Sequence, residues 1–501
     1  MKKLPIFFDI PPPYLFSNIQ THVCYAKQST TTICTKEKIA MSKHFRRIFS
    51  GITLLSLILT ILAGCVAPAP AGSTSTGDAA ASSASAPEKV KVTMWADADS
   101  DADCFVDVVQ KGFNAQSDTV ELVIDRKADM INAVRPALAG GAGPDIVPTH
   151  GPAFVAEFAL AGQVLPLDDL AKEFKWDEMF VPWALNLGRV EGTLYSLPQE
   201  LETIILWYNK TLFEEKGWTP PTTLDELSAL SDKIQAEGII PLAGQGGECQ
   251  ACNEWYFTEF VNKIAGPDKV YKALKGEIPW TDPDFVASIN TLNEMMQKGY
   301  WMGSVENFLA ADFATFQAAF GVGDAAMNME GTWFYNSAGE FFGEGTEHGN
   351  EWDWVPFPSA TGEVIYNIGI GGTQSINKAS QHPHEAAEVL TYYFSPEVQS
   401  TLFTQCQNAV APIKIESSQM SGVDPRMAAV FADFAKASDE GRYGYTTWTF
   451  FPPKTDQFIY EELEKVWVGD MTAEDYMAGI DKQFQEELLA GETLPIPDRT
   501  E

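Results

Sequence analysis

The stretch from Val90 to Val147 alternates strand patterns with helical patterns, and this alternation restricts the fold more than any other feature of the chain. Val90–Trp95 and Val120–Ile124 alternate apolar and polar residues, and Pro144–Val147 is a third short strand pattern. Apolar residues at helical spacing lie between them: Phe105, Val108, Val109 and Phe113, then Met130, Val134, Ala137 and Leu138. This order predicts an α/β fold with a parallel sheet. Its ligand is expected at the carboxyl ends of the strands, near Trp95–Asp97 and Pro148–Gly151.

Residues 41–64 have the pattern of a secretory signal peptide. Basic residues precede the uncharged stretch Ile48–Ala63, and Leu-Ala-Gly-Cys follows as a lipobox ending at Cys65. We predict lipidation of Cys65 after cleavage, because the apolar run is shorter than the ~20 residues of a membrane span. Residues 1–40 are interpreted as a mis-assigned N-terminal extension. Residues 65–87, rich in Ala, Ser, Gly and Pro, are predicted to form a flexible tether.

The remaining segment, Glu88–Glu501, is too long for one ordinary hydrophobic core and suits two large lobes. The chain carries a net charge of −34. A surface with that charge repels nucleic acid and anionic lipid, so neither is expected as a partner.

Four cysteines lie in the predicted exported domain: Cys104, Cys249, Cys252 and Cys406. An even number in an exported domain predicts structural disulfides, with the pairing left open. Cys249 and Cys252 alone would also fit a redox motif or half of a zinc site, but no second Cys pair or suitably spaced His accompanies them. We therefore predict no metal.

Two later segments have clear helical patterns. Thr223 followed three residues later by Glu226 is a capping-box pattern that predicts a helix through Gln235. A second apolar helical face comprises Phe285, Ile289, Leu292 and Met296. Such stripes predict core packing.

Several motifs occur in a recognisable order: Gly143–Val147, Gly192–Pro198, Trp207–Phe213 with Pro220–Leu224, and Gly323–Trp333. In order and spacing they resemble family 1 extracellular solute-binding proteins, to which the maltodextrin-binding protein belongs. The resemblance implies a two-lobe periplasmic-binding-protein fold of the class II type, with a mostly parallel sheet in each lobe and a central cleft. It implies an N-terminal lobe of residues 88–201 plus 365–405 and a C-terminal lobe of residues 205–360 plus 410–501. The chain would cross between them near residues 201–204, 361–364 and 406–410.

The resemblance also implies a ligand site. It places a pocket acid at Glu202, a stacking tryptophan at Trp333, and a polar-aromatic cluster at Glu254 and Tyr256. The further candidate residues are Trp255, Glu330, Gly331, Thr149, His150 and Trp448. A carboxylate accepts hydrogen bonds from hydroxyls, and a flat ring covers the C–H face of a sugar. Thr149 and Pro152 replace the aromatic and acidic residues of the maltodextrin pattern, which argues against maltodextrin itself.

The sequence thus predicts an extracytoplasmic sugar-binding lipoprotein of an ABC importer, with permease subunits and a cytoplasmic ATPase as partners and no cofactor. An anchored glycoside hydrolase would also carry carboxylates and tryptophans in a cleft. However, the chain contains no Gly-x-Ser-x-Gly, His-Glu-x-x-His or P-loop motif. A receptor that presents its ligand to a membrane sensor would share every feature named above.

Overall fold

The computed structural model describes residues 20–25, 33–38, 89–97, 102–127, 130–414 and 422–497. The chain divides into two compact units, Met1–Ser85 and Ala86–Glu501. In the first unit, strands β1 (Gln20–Tyr25) and β2 (Ile33–Lys38) pair antiparallel. The predicted signal peptide, Cys65 and the tether lie outside the described residues, so these remain predictions.

The strands of the second unit are short and spread along its whole length. They are β3 (Val90–Asp97), β4 (Val120–Lys127), β5 (Ile146–Thr149), β6 (Arg189–Val190), β7 (Thr193–Leu194), β8 (Leu197–Pro198), β9 (Leu201–Glu202), β10 (Ile204–Asn209), β11 (Ile240–Ala243), β12 (Ala325–Gly331), β13 (Trp352–Pro356), β14 (Tyr366–Ile370), β15 (Thr373–Ile376) and β16 (Tyr443–Tyr445).

The described helices of this unit flank the sheets. They are α1 (Ala102–Phe105), α2 (Gly112–Gln116), α3 (Met130–Ala139), α4 (Pro152–Leu160), α5 (Asp168–Glu173), α6 (Trp176–Met179), α7 (Pro182–Leu187), α8 (Lys210–Lys216), α9 (Leu224–Ala236), α10 (Asn253–Ile264), α11 (Pro267–Leu274), α12 (Pro283–Gln297), α13 (Val305–Ala310), α14 (Phe313–Val322), α15 (Tyr335–Phe341), α16 (Pro383–Tyr393), α17 (Pro396–Gln405), α18 (Pro425–Asp439), α19 (Thr447–Phe450), α20 (Pro453–Trp467) and α21 (Ala473–Ala490). A π-helical turn, Val106–Lys111, joins α1 to α2. None of the helices in the described ranges combines the length with the apolar composition that crossing a bilayer requires.

The first lobe is built on a five-stranded sheet in the order β4-β3-β5-β15-β8. Strands β3, β4 and β5 pair parallel, which confirms the parallel arrangement predicted from the alternating pattern. Strand β15 arrives from far along the chain and pairs antiparallel with β5 and β8. Val92, Leu122 and Ile146 are buried in the core of this lobe.

The second lobe contains a four-stranded sheet in the order β11-β12-β10-β13. Only the pair β11 and β12 is parallel, while β10 runs antiparallel to both of its neighbours. The predicted α/β two-lobe class holds, but the expectation of a mostly parallel sheet is wrong for this second lobe. Strand β10 follows β9 after a single residue, so the chain enters the second-lobe sheet from the small sheet that contains β9. In the second-lobe sheet β10 is antiparallel to β12 and β13.

A third sheet, in the order β16-β14-β9, contains residues next to two of the predicted crossings. Helix α10 holds this sheet through buried polar side chains. Asn262 Nδ2 donates to the Tyr445 carbonyl oxygen at 3.0 Å, and the Tyr445 N–H donates back to Asn262 Oδ1 at 3.1 Å. The buried ammonium group of Lys263 donates to the Ile365 carbonyl oxygen and lies 3.7 Å from Glu259 Oε2. Helix α10 is thereby bonded to β16 and to the residue that precedes β14.

The two helices predicted from local patterns are present. Helix α9 begins after Thr223, whose hydroxyl accepts from the Glu226 N–H while the Glu226 side chain accepts from the Thr223 N–H. Helix α12 buries Phe285, Ile289, Leu292 and Met296. Both predictions are confirmed because the signals are local to each segment.

The four cysteines of this unit lie in two close pairs. Cys104 in α1 lies at bonding distance from Cys406, which follows α17, with a Cα–Cα separation of 5.5 Å. Cys249 and Cys252 form the second pair, with a Cα–Cα separation of 5.3 Å. Both separations suit disulfides. Across the residues with described positions, His, Cys, Asp and Glu side chains do not gather into groups of three or more that could hold a metal ion.

Candidate functional site

Glu202 lies at the junction of the two lobes, on the edge strand β9 of the small sheet. It is opposite Gly369 of β14 and only 4% exposed. The side chain crosses Gly369 and Gly371, where an added Cβ would meet its Cγ at 3.0 Å or overlap its carboxyl group. Burial raises the pKa of Glu202 well above its ordinary range, and the charge of Glu200 raises it further. The two glycines thus create the space for a buried carboxyl group.

Trp448 lies beside Glu202 and is 2% exposed. The short helix α19 holds it against β14, since the Ile370 N–H donates to Thr449 Oγ1 at 2.9 Å and Thr446 Oγ1 donates to the Ile368 carbonyl oxygen at 2.9 Å. The Trp448 indole N–H lowers the pKa of Glu202, opposing the effect of burial, but it makes no hydrogen bond of regular geometry.

Gly151 brings the first lobe against α19. Its φ of +131° is unfavourable for other residues. An added Cβ would lie 2.6 Å from the Trp448 carbonyl oxygen and 3.1 Å from the Ile370 carbonyl oxygen. The loop predicted at the carboxyl end of β5 therefore reaches the candidate site through its glycine.

Half-buried aromatic rings of the second lobe form an aromatic wall, which we define as Trp255, Phe313 and Trp333. The Trp255 and Trp333 ring centroids are 5.0 Å apart, and those of Trp255 and Phe313 are 6.5 Å apart. Trp333 also meets Trp448 edge-on at 6.3 Å. A Cβ on Gly331 would overlap the Trp333 ring, so the indole lies directly on the backbone of that glycine. The wall offers a sugar apolar faces next to a buried acid.

Glu254, in the first turn of α10, forms a buried acid pair with Asp456 of α20. Thr447 Oγ1 donates to Glu254 Oε2 at 2.8 Å, which places this pair one residue from Trp448. Burial and the nearby Asp456 charge raise the pKa of Glu254 well above its ordinary range, while burial raises the pKa of Asp456 to about 7. The two buried carboxyl groups interact directly, and the proximity of like charges favours the protonated form of one of them.

Glu330 lies beneath the aromatic wall and does not point into open space. It is buried, accepting from Asn328 Nδ2 at 2.6 Å and from Gln317 Nε2 at 3.3 Å. Burial raises its pKa to about 7, although these hydrogen bonds and Trp333 counteract the shift. This position of Glu330 is better suited to supporting the Trp333 ring than to contacting a ligand directly.

The raised pKa of Glu330 predicts a pH-dependent stability. Its contribution is fully present below the unfolded pKa of about 4.5 and is lost as pH rises through about 7, because the folded state binds more protons in that interval. Between about pH 5 and 7.5 the wild type should lose about 2 kcal/mol more unfolding free energy than Glu330→Gln. Urea denaturation of both proteins across this range measures the difference. Parallel curves would contradict the assignment.

The remaining predicted site residues have different environments. Tyr256 is buried in the second-lobe core, with its ring 5.5 Å from Trp301, 5.4 Å from Phe308 and 5.7 Å from Trp467. Thr149 is buried, and its hydroxyl bonds within the first lobe to Thr373 and the Gly151 carbonyl oxygen. The half-buried His150 follows Thr149. Glu202, Glu254, Trp255, Trp333 and Trp448 are therefore the predicted residues that the structure brings together.

Sequence reasoning missed a direct contact between the lobes. Arg135 of α3 donates from Nε to Glu157 Oε2 at 3.0 Å and from Nη2 to the Tyr460 hydroxyl at 3.4 Å. Phe154 stacks on Tyr460 with centroids 6.3 Å apart. The available signal was an arginine within the apolar face of α3. The cavity lined by Arg135, Thr149, His150 and Phe154 has a volume of about 10 Å³. That volume is too small for a sugar.

A wider groove of about 900 Å³ lies on the first lobe, lined by residues of α16, α17 and the π-helical turn. It is shallow and carries the carboxylates of Asp107, Glu388 and Glu397 with no tryptophan in its lining. Few polar anchors between apolar walls are what a small-ligand site needs. We therefore place the site at the aromatic wall.

A family model described as bacterial extracellular solute-binding protein matches residues 98–400. The chain belongs to this family. This confirms the resemblance found in its motifs. The solute-binding chain is 30% identical over 240 residues to a probable sugar-binding periplasmic protein of Mesorhizobium japonicum. That alignment covers 45% of this chain and 54% of the relative. It is 26% identical over 298 residues to the maltotriose-binding protein of Pyrococcus abyssi, covering 57% and 58%.

The alignments thus span little more than half the length of each relative. Among solved structures, a chitin oligosaccharide binding protein superposes on the solute-binding chain with a TM-score of 0.67 at 21% identity. That superposition covers 79% of this chain and 98% of the other. At this identity the likeness shows a shared two-lobe fold.

Proposed function

We propose that this chain is the extracytoplasmic sugar-binding component of an ABC importer. The observation that supports this most strongly is the aromatic wall of Trp255 and Trp333 beside the buried Glu202 and Trp448. Aromatic faces bind the C–H face of a sugar, while carboxyl groups and an indole N–H bind its hydroxyls. The names of the two sequence relatives, a sugar-binding and a maltotriose-binding protein, agree with this chemistry.

In the proposed complex, Glu202 and Trp333 hold the sugar from opposite sides of the cleft. The lobes open for entry and close over the sugar, and the closed form docks on the permease. We propose the crossings at residues 201–204, 361–364 and 406–410 as the hinge, and lipidation at Cys65 as the anchor to the outer face of the membrane. A membrane sensor as the alternative partner would use the same closed form.

The site does not favour a glycoside hydrolase. Its buried carboxyl groups Glu254 and Asp456 interact directly with each other. The catalytic carboxyl groups of glycosidases stand at least about 5 Å apart to leave room for the sugar or a water. Binding without bond cleavage is the function that this arrangement supports.

Isothermal titration of the chain against a sugar panel tests the proposal. The panel contains glucose, galactose, maltotriose, diacetylchitobiose and xylotriose, with glycerophosphocholine as a non-sugar polyol ester, and each mixture is analysed for products. We expect saturable one-to-one binding of one sugar at about 1 µM, near −8 kcal/mol, with the sugar recovered intact. Binding of glycerophosphocholine alone would move the ligand to another class, and cleavage of any sugar would overturn the proposal in favour of a hydrolase.

A further inference from the structure

The Cys249–Cys252 pair lies where the aromatic wall begins. Cys249 precedes the 3₁₀ turn Gln250–Cys252, and this turn ends at Cys252 and continues directly into α10. Cys252 is 5% exposed, whereas Cys249 is half-exposed. The backbone N–H of Cys252 donates to Cys249 Sγ at 3.2 Å. An accessible sulfur, a buried partner and an N–H directed at the accessible sulfur are the features that make a Cys-x-x-Cys pair reactive.

We propose that Cys249 and Cys252 form a reducible disulfide that controls the packing of Trp255 in the aromatic wall. An external dithiol is the reductant. Its thiolate attacks Cys249 Sγ, the sulfur–sulfur bond to Cys252 breaks, and Cys252 leaves as a thiolate at the amino end of α10, where it takes up a proton. The second thiol of the reductant then attacks the reductant sulfur that is bonded to Cys249. The bond to Cys249 Sγ breaks, and the Cys249 thiolate takes up the proton that the second thiol loses. Two electrons pass to the cysteine pair, and the reductant becomes a disulfide.

The cysteine turn is connected to the aromatic wall by two routes. Trp255 lies three residues after Cys252 in the first turn of α10. On the other side, Gln245 Oε1 accepts from the N–H groups of Glu248 at 3.2 Å and Cys249 at 3.1 Å. Glu248 Oε2 in turn accepts from the Phe313 N–H at 3.1 Å. Opening the turn would therefore loosen the first turn of α10, which carries Trp255, and would release Phe313, one of the two rings that pack against Trp255.

The Cys104–Cys406 pair provides an internal comparison. It joins residues separated by 302 positions and Cys406 is 2% exposed, so its reduction would release a very long loop. The Cys249–Cys252 pair closes a separation of 3, so its reduction releases little chain entropy. The short pair should therefore be reduced while the fold remains intact.

The test uses the full chain in mixtures of reduced and oxidised dithiothreitol. Free thiols are trapped with iodoacetamide and each pair is scored by peptide mass spectrometry, with tryptophan emission recorded on the same samples. We expect half-reduction of Cys249–Cys252 at a ratio of reduced to oxidised reagent at least about tenfold lower than for Cys104–Cys406. Emission should change in step with that reduction in the wild type and not in Trp255→Phe. Cys249→Ser/Cys252→Ser should show the reduced-state emission without reagent.

Two results would overturn the proposal: reduction of both pairs only together with unfolding, or reduction of the short pair with unchanged emission. The effect on sugar affinity rests on the proposed function. We expect reduction to raise the Kd of the sugar that binds in the panel by about threefold to tenfold. Maltotriose is the first sugar measured. The thiol and emission measurements need no sugar. Failure of the proposed function therefore leaves this inference testable, and failure of this inference leaves sugar binding standing.

Discussion

Replacing Trp333 by alanine is expected to weaken sugar binding by about 70-fold while the second lobe stays folded. The ring is half-buried between Trp255 and Trp448, so its remaining face is the flat apolar surface that a sugar would cover. Covering roughly 100 Å² of apolar surface contributes about 2.5 kcal/mol at about 25 cal/mol per Å². This free energy corresponds to about 70-fold in Kd. Isothermal titration with the sugar identified by the panel measures the change.

Trp354→Ala is the matched control for this prediction. Trp354 is also half-buried, but it lies on β13 and donates from Nε1 to the Arg426 carbonyl oxygen at 3.1 Å. Its loss should change Kd by less than about twofold. Similar losses in both variants would mean that tryptophan deletion acts through general destabilisation. An unchanged Kd in Trp333→Ala would remove Trp333 from the site.

Local sequence signals specified the elements but not the pairing between distant strands. The capping box at Thr223 and the alternation at Val90–Trp95 act within one segment, so a helix and a strand could be predicted there. The direction of β10 depends on where the chain crosses between lobes, because β10 enters its sheet directly after β9. No residue within β10 encodes that direction, and the expectation of a mostly parallel second sheet failed there.

The candidate site was predictable where a residue lies inside a motif, and not where distant segments decide which way a side chain faces. Trp255 and Tyr256 are adjacent on α10 and point about 100° apart. Trp301, Phe308 and Trp467 surround Tyr256 in the core, which leaves Trp255 to face Trp333. Asp456 could not be found either, since its partner Glu254 comes from a helix far away in sequence.

Removing the Cys104–Cys406 pair is expected to lower the unfolding free energy by about 5 to 6 kcal/mol. The bond would join α1 to the end of α17, across a separation of 302 residues that includes the whole second-lobe sheet. Loop-closure entropy in the unfolded chain grows with the length enclosed, so this bond restricts the unfolded state strongly. For a chain of this size the melting temperature should fall by about 6 °C.

Cys104→Ser/Cys406→Ser is compared with Cys249→Ser/Cys252→Ser in urea unfolding and limited proteolysis. The Cys249–Cys252 pair joins residues that are 3 positions apart in sequence. For a loop this short the same entropy relation gives a stabilisation of only about 2 kcal/mol. Because Cys406 packs into the first-lobe core with Leu402 and Tyr393, protease cuts in the long-range variant should appear first in that lobe. Equal destabilisation by the two double variants would show that local packing, and not restriction of the unfolded chain, sets the contribution of each bond. The size of the difference therefore measures how strongly the first lobe depends on a covalent link between its first and last segments.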